Sequence, residues 1–341
     1  MRITKVTTAV VQANFDYVFV RVHTDKGVDG TGEAFFAPGL PSIIRDLGEV
    51  IIGLDPRQIR PLWLRLQEAA GGTAGHGIAF NAISGIETAL WDLAGKALGA
   101  PIATLLGGQH RREIDVYVDL HAGDQLMSLD NVMRYRTPFW SSSSGITETR
   151  GSFWEEGDPG ADSLEAMIDR ATAAVAQGFT RLKFDLDVFG RSRVGGDRSI
   201  TQKELADIEE RAVSVRHAVG PDIGIAFDCH WRFDIPTALS VAEAVAPAQP
   251  MWLEDPVPPH VSTFRAVTDR SPVPIATGEN VYLLDGFLAL IEGNSLHIVT
   301  PDAQKTGGLL ETLRIADVAG RRFMPIAPHC IASPLGFMAS A

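Results

Sequence analysis

Ile225-Ala226-Phe227-Asp228-Cys229-His230 is the stretch whose reading decides the fold. Three apolar residues run straight into an acid, a cysteine and a histidine. A short continuous apolar run marks a strand buried on both faces, the kind found in parallel sheets. Side chains alternate along a strand, so Asp228 and His230 are expected on one side and Cys229 on the other. The same design recurs. Trp252-Leu253-Glu254 and Ile275-Ala276-Thr277-Gly278-Glu279 follow, their acids about 25 residues apart. Ile298-Val299-Thr300-Pro301-Asp302 and Phe323-Met324-Pro325-Ile326-Ala327-Pro328-His329 extend the series. An eight-stranded α/β barrel uses roughly 30 residues per strand–helix unit and carries its functional groups at the C-terminal strand ends. The spacing therefore predicts a TIM-like barrel.

Working outward, Ile114 to Leu120 reads as the first barrel strand, ending near His121, and Arg181-Leu182-Lys183-Phe184-Asp185 as the second. Helices are expected over Ser163–Gln177, capped by Asp162 or Ser163, and over Thr201–Val219, closed by Gly220 and Pro221. Between them, Thr137 to Gly160 lacks periodicity, which marks a functional or disordered loop. Upstream, Ile3 to Val22 and the glycine-punctuated stretch after it predict a small antiparallel sheet. Leu40 to Leu66 reads as helical with a break near Asp55-Pro56. Gly71 to Gly77 is a glycine loop, either a lid or a plain connector. Asn81 to Leu98 is the clearest helix, with Asn81 as its N-cap and Ala82, Ile86, Ala89, Leu90 and Leu93 on one apolar face.

The bulk numbers narrow the class. A chain of 341 residues has room for about two domains, and 45% hydrophobic with 21% charged residues is ordinary for a globular protein. The net charge of −12 argues against nucleic acid as a partner and requires a local cation for any anionic substrate. Two cysteines imply no disulfide framework and point to the cytoplasm. No apolar run reaches membrane-spanning length, and the N-terminus lacks the apolar core of a signal peptide.

On neighbouring strands, Asp228, Glu254 and Glu279 would converge and repel unless a cation sits between them; all-oxygen ligation favours Mg²⁺. Asp302 and His329, also on neighbouring strands, would hydrogen-bond, with the carboxylate fixing the ring tautomer. Lys183 and Asp185 share a face. Lys183 could offset the acids, bind a substrate carboxylate or act as a base. His230 could donate a proton or only bind substrate.

Ala82-Ile83-Ser84-Gly85-Ile86-Glu87-Thr88-Ala89-Leu90-Trp91-Asp92-Leu93-Ala94-Gly95-Lys96 resembles the signature helix of the mandelate racemase and muconate lactonising group of the enolase superfamily. The resemblance implies an N-terminal α+β capping domain, here residues 1–112, and a modified (β/α)7β barrel, here residues 113–341. It implies the metal ligands at Asp228, Glu254 and Glu279 and a general-base dyad of His329 and Asp302. Many members carry a second lysine where this chain has Asp185, so Asp185 is assigned to substrate binding and a two-base racemase is disfavoured. His230, just after the first metal ligand, resembles the acid of the galactonate-dehydratase type. The implied activity is Mg²⁺-assisted removal of the proton next to a carboxylate, the superfamily's shared first step, followed by loss of a hydroxyl from a sugar acid. Racemisation, epimerisation or cycloisomerisation through the same intermediate is the enzymatic alternative, and a non-catalytic homologue the other. The chain stops after Pro334 opens the seventh barrel helix, so the eighth strand is expected to be absent, either because the sequence is a truncation or because the barrel is open. An open barrel edge predicts association into a homo-oligomer.

Overall fold

Buried β-branched residues at every second position build the N-terminal sheet. The computed structural model describes residues 1–12, 16–73, 76–120, 163–186 and 198–341. Strands β1 (Ile3–Gln12), β2 (Asp16–Thr24) and β3 (Gly30–Ala34) form an antiparallel sheet in that order. Val18, Val20 and Val22 are buried along β2 and pair with Ala34, Gly32 and Gly30. The helix α3 (Ile78–Leu98) lies against this face; α1 (Leu40–Glu49) and α2 (Ile59–Ala70) precede it, separated at the predicted Asp55-Pro56 break. A Cβ at Gly30 would sit 2.0 Å from the Ala89 carbonyl oxygen, and one at Gly32 2.3 Å from that of Gly85. Glycine in β3 is therefore what lets the helix backbone approach the strand.

One boundary in this region differs from expectation. The helix starts at Ile78 after Gly77, so Asn81 is not its cap. Asn81 is buried, and its amide serves tertiary partners instead: Nδ2 donates to the Phe35 carbonyl (3.1 Å), and Oδ1 accepts from the Tyr282 hydroxyl (3.4 Å). The C-terminal end is as predicted, with Gly99 in the left-handed region followed by Pro101, which opens the short helix α4 (Ile102–Leu105).

The chain divides into two units. The first joins Met1–Ile114 to Gly278–Ile291 and Val299–Ala341; the second is Asp115–Thr277 with Glu292–Ile298. Segments far apart in sequence thus build the first unit. They are tied by buried hydrogen bonds. Ser84 Oγ accepts from Gly307 N, Glu87 accepts from Leu309 N and Leu310 N, and Glu33 accepts from Ser333 N and Gly336 N.

The second unit is built on a sheet whose strand order equals chain order: β4 (Val118–Asp119), β5 (Arg181–Asp185), β6 (Gly224–Asp228), β7 (Trp252–Glu254), β8 (Ile275–Thr277) and β9 (Ile298–Val299). The pairs from β4 to β8 are parallel. Ile225, Ala226 and Phe227 are fully buried, as the apolar run requires. Helices α5 (Leu164–Ala176), α6 (Gln202–Val219), α7 (Ile235–Val245) and α8 (Val261–Thr268) alternate with the strands; α9 (Leu283–Glu292, all but its last residue), α10 (Leu309–Arg321) and α11 (Pro334–Ser340) follow in the chain and belong to the first unit. Ser163 caps α5 through Ala166 N, and Thr201 with Glu204 forms a capping box on α6.

Two predicted strands are shorter than the apolar runs that announced them. The first is confined to Val118–Asp119. The seventh is reduced to one parallel bridge, Val299 to Ile326. Pro325 and Pro328 have no N–H to donate, which limits the ladder. Phe323, read as the start of that run, is 96% exposed in a left-handed turn. The expected strand end at His121, the loop Thr137–Gly160 and the alternative cap Asp162 lie outside the described residues, as does part of the glycine loop. Among the described residues, no helix is long and apolar enough to cross a membrane.

Candidate active site

In the second unit, strand register sets the chemistry. Lys183 on β5 is opposite Ala226 on β6, which is opposite Trp252 on β7. One step along on the same side come Asp185, Asp228 and Glu254, also mutually in register. The motifs Lys183-x-Asp185, Ala226-x-Asp228 and Trp252-x-Glu254 therefore lay a row of acids at the strand ends, over a row of lysine, alanine and tryptophan. The short Ala226 side chain occupies the middle of the lower row. Across it, Lys183 Nζ reaches Asp228 Oδ2 at 2.6 Å and Glu254 Oε2 at 3.2 Å. Trp252 Nε1 donates to the same Glu254 oxygen at 2.9 Å. Tyr117 stands edge-on to Trp252, ring centroids 5.5 Å apart, with Lys183 Nζ 5.9 Å from its ring centre. Burial by itself would lower the Lys183 pKa, but Asp228 and Glu254 outweigh it and hold the ammonium well above its ordinary value.

His230 comes to Asp228 by a route that strand alternation does not describe. The strand ends at Asp228, and His230 (φ 43°) and Trp231 (φ 58°) turn through the left-handed region. The His230 backbone N–H donates to Asp228 Oδ1 at 3.0 Å, a turn closed by the aspartate itself. The ring then lies with Nε2 3.7 Å from Asp228 Oδ2 and Nδ1 4.0 Å from Asp185 Oδ1. Asp185, Asp228 and His230 each offer a ligand atom within 4.8 Å of the others.

The first unit holds the remaining predicted residues. His329 is buried between two carboxylates: Nδ1 is 2.8 Å from Asp302 Oδ2, and Nε2 is 2.7 Å from Glu279 Oε2. Burial would lower the ring's pKa; Glu279 and Asp302 outweigh it and raise it to about 9. Asp302 is itself anchored, its Oδ1 accepting from Gln304 N at 2.7 Å. Lys305, which sequence reasoning passed over, is buried with Nζ 3.8 Å from Glu279 Oε1 and 3.1 Å from Asn280 Oδ1, over the Phe35 ring at 3.8 Å. Trp252 was quoted in the sequence without a role. Its signal was present: two residues before Glu254 on a strand means the same side.

The arrangement suits a hard cation. Asp228 and Glu254 are buried carboxylates, and Asp185, Asp228 and His230 form one group in the second unit whose ligand atoms lie close enough together to hold a divalent metal. The comparisons agree with this chemistry. Residues 3–107 match the mandelate racemase / muconate lactonizing enzyme N-terminal domain, and residues 166–341 match the enolase C-terminal domain-like family. The chain belongs to the enolase superfamily, in its mandelate racemase / muconate lactonizing enzyme group, and its fold class is that group's α+β N-terminal domain and modified (β/α) barrel. It is 36% identical to the D-xylonate dehydratase of Haloferax volcanii over 99% of this chain and 74% of that protein. It is 29% identical to the D-galactonate dehydratase of Ralstonia nicotianae, over 99% of this chain and 77% of that one. Among solved structures, a mandelate racemase/muconate lactonizing enzyme-like protein from Rubrobacter xylanophilus is similar with a TM-score of 0.86 and 36% identity, covering 99% of this chain and 82% of the other.

Proposed function

We propose that this chain is a Mg²⁺-dependent sugar-acid dehydratase, a hydro-lyase that converts a sugar acid to its 2-keto-3-deoxy product. The observation that carries the reading is the buried His329–Asp302 pair, in a chain related to proteins named as xylonate and galactonate dehydratases. Asp228, Glu254 and Glu279 would hold the cation, and their oxygen-only donor set suits Mg²⁺. Bound there, the cation supplies Lewis acidity toward the substrate carboxylate. His329 takes the proton from the carbon next to that carboxylate at Nε2, while its Nδ1–H donates to Asp302 and so fixes the tautomer. Glu279 keeps the ring protonated as long as it faces Nε2, so base action requires that carboxylate to be engaged elsewhere, as ligation demands. His230 donates the proton with which the 3-hydroxyl leaves as water. The resulting enol becomes the 2-keto acid by taking up a proton at the third carbon. Lys183 stays protonated between Asp228 and Glu254 and acts as a fixed cation, not as a second base; this favours elimination over racemisation. Asp185 accepts from a substrate hydroxyl.

The test is a panel of sugar acids, xylonate and galactonate among them, incubated with the chain and Mg²⁺ and read with a carbonyl reagent. Keto-acid formation is expected in the parent. His329→Asn should abolish both it and deuterium uptake at the carbon next to the carboxylate. Uptake without any keto acid, across the panel, would replace dehydration with racemisation or epimerisation.

A further inference from the structure

We propose that Trp252 is a positioning residue for the cation site: its indole N–H and the Lys183 ammonium together fix the orientation of Glu254. The inference rests on the reading of Glu254 as a cation ligand and extends it to a residue outside the ligand set. An indole nitrogen is a donor only, so the direction of its bond to Glu254 Oε2 at 2.9 Å is unambiguous. Both partners are buried, Trp252 at 6% and Glu254 at 0% exposure. The Lys183 ammonium meets the same oxygen at 3.2 Å. Two donors of different geometry on one oxygen define the plane and tilt of a carboxylate that its own side-chain torsions leave loose.

Trp252 is itself held in place. Its strand register puts it in the row of Lys183 and Ala226, where the alanine is short. Tyr117 meets the indole edge-on, with an interplanar angle of 84°. Lys183 Nζ lies 5.9 Å from the centre of the same tyrosine ring, so one aromatic side chain borders both donors. The positioning is thus built from strand and ring packing and does not depend on a loop. Hydrogen-bond donors behind metal-binding carboxylates typically change metal affinity 10–100-fold when removed.

The test measures Mg²⁺ binding to the metal-stripped full chain by calorimetry, with Mn²⁺ binding by electron paramagnetic resonance as a second probe. Trp252→Phe keeps an aromatic ring and deletes the N–H. It should bind both ions about 10–100-fold more weakly, with circular dichroism and melting temperature close to the parent's. Trp91→Phe is the control: it deletes another indole bond to a carboxylate, from the half-buried Trp91 to Glu87 at 2.6 Å in the first unit, and should leave ion affinity unchanged. Trp252→His restores a ring N–H on a shorter side chain and should recover part of the loss; it also carries the test if the phenylalanine variant fails to fold. Parent-like affinity in a folded Trp252→Phe overturns the inference, as does an equal loss in Trp91→Phe. A parent chain that binds neither ion would instead overturn the cation reading of the site.

Discussion

Replacing Glu87 by glutamine should change both the stability of the chain and its dependence on pH. Glu87 is 1% exposed on α3. Its Oε2 accepts from Leu309 N at 2.9 Å; its Oε1 accepts from Leu310 N at 3.1 Å and from Trp91 Nε1 at 2.6 Å. It therefore caps the N-terminus of α10, so closely that a Cβ on Gly308 would lie 2.2 Å from Oε2. Burial raises the carboxyl's pKa to about 7 from 4.5, the three donors offsetting only part of that effect. A tenfold change in proton affinity is worth ~1.4 kcal/mol, so the interval corresponds to about 3 kcal/mol. The sign follows from linkage. Between pH 4.5 and 7 the folded chain binds more protons at this site than the unfolded chain, so this contribution is complete below pH 4.5 and is lost as pH rises through 7. Glutamine cannot titrate, and its amide NH₂ must face one of the N–H donors, a penalty of about 1–3 kcal/mol that does not vary with pH. Urea unfolding of parent and Glu87→Gln at pH 5, 6, 7 and 8 isolates the two terms. The parent's advantage should be largest at pH 5, where a small part is already lost, and shrink by about 2.5 kcal/mol by pH 8. A parent-minus-variant difference that stays flat across this range would refute the reasoning.

Two other substitutions probe the two units separately. Lys183→Met removes the cation buried between Asp228 and Glu254 while keeping chain length, and should cost the metal-free chain about 3–5 kcal/mol, the usual scale for stranding buried charge; urea unfolding with and without Mg²⁺ checks it, with part of the loss recovered by the ion and an unchanged midpoint as the contrary result. Glu33→Ala deprives Ser333 N, the Ser333 hydroxyl and Gly336 N of their buried acceptor, about 1–3 kcal/mol of local stability; hydrogen exchange should accelerate over residues 333–340, and exchange at the parent's rate there would show that α11 is held by other contacts.

What could be read in the sequence and what could not separates along a physical line. Asp228 and Glu254 were legible because each ends an apolar run that forms a buried strand. The helix over Thr201–Val219 was legible because Gly220 and Pro221 stop it locally; it runs from Gln202 to Val219 behind a capping box of Thr201 and Glu204. The readings that needed correction each concerned a residue whose local preference lost to a distant partner or a turn. Asn81 has the chemistry of a cap, but its amide is taken by Phe35 and Tyr282, so the helix begins earlier without it. His230 stands beside Asp228 because the aspartate closes a left-handed turn, not because two residues of strand carry it there. Phe323 looks like core and is solvent-exposed because a proline-interrupted run sustains one bridge, not a strand.

The least legible feature is the membership of the first unit. Its joins are made by single side chains more than 200 residues from their partners: Ser84 to Gly307, Glu87 to Leu309, Glu33 to Ser333. Such bonds have no period and leave no trace in hydrophobic patterning. Two of the three use a buried carboxylate to satisfy backbone N–H groups at a helix start, a task that glutamine or alanine cannot perform. In Glu33-to-Ser333 the tie lies four residues beyond His329, and in Ser84-to-Gly307 and Glu87-to-Leu309 it lies five and seven residues beyond Asp302. The buried acids of the N-terminal segment therefore fix, within the same unit, both chain segments that carry the His329–Asp302 pair. That pair needs a fixed donor–acceptor geometry to hold one tautomer, and the acids that supply the fixation are those that the chain keeps buried at the cost of desolvating their charge.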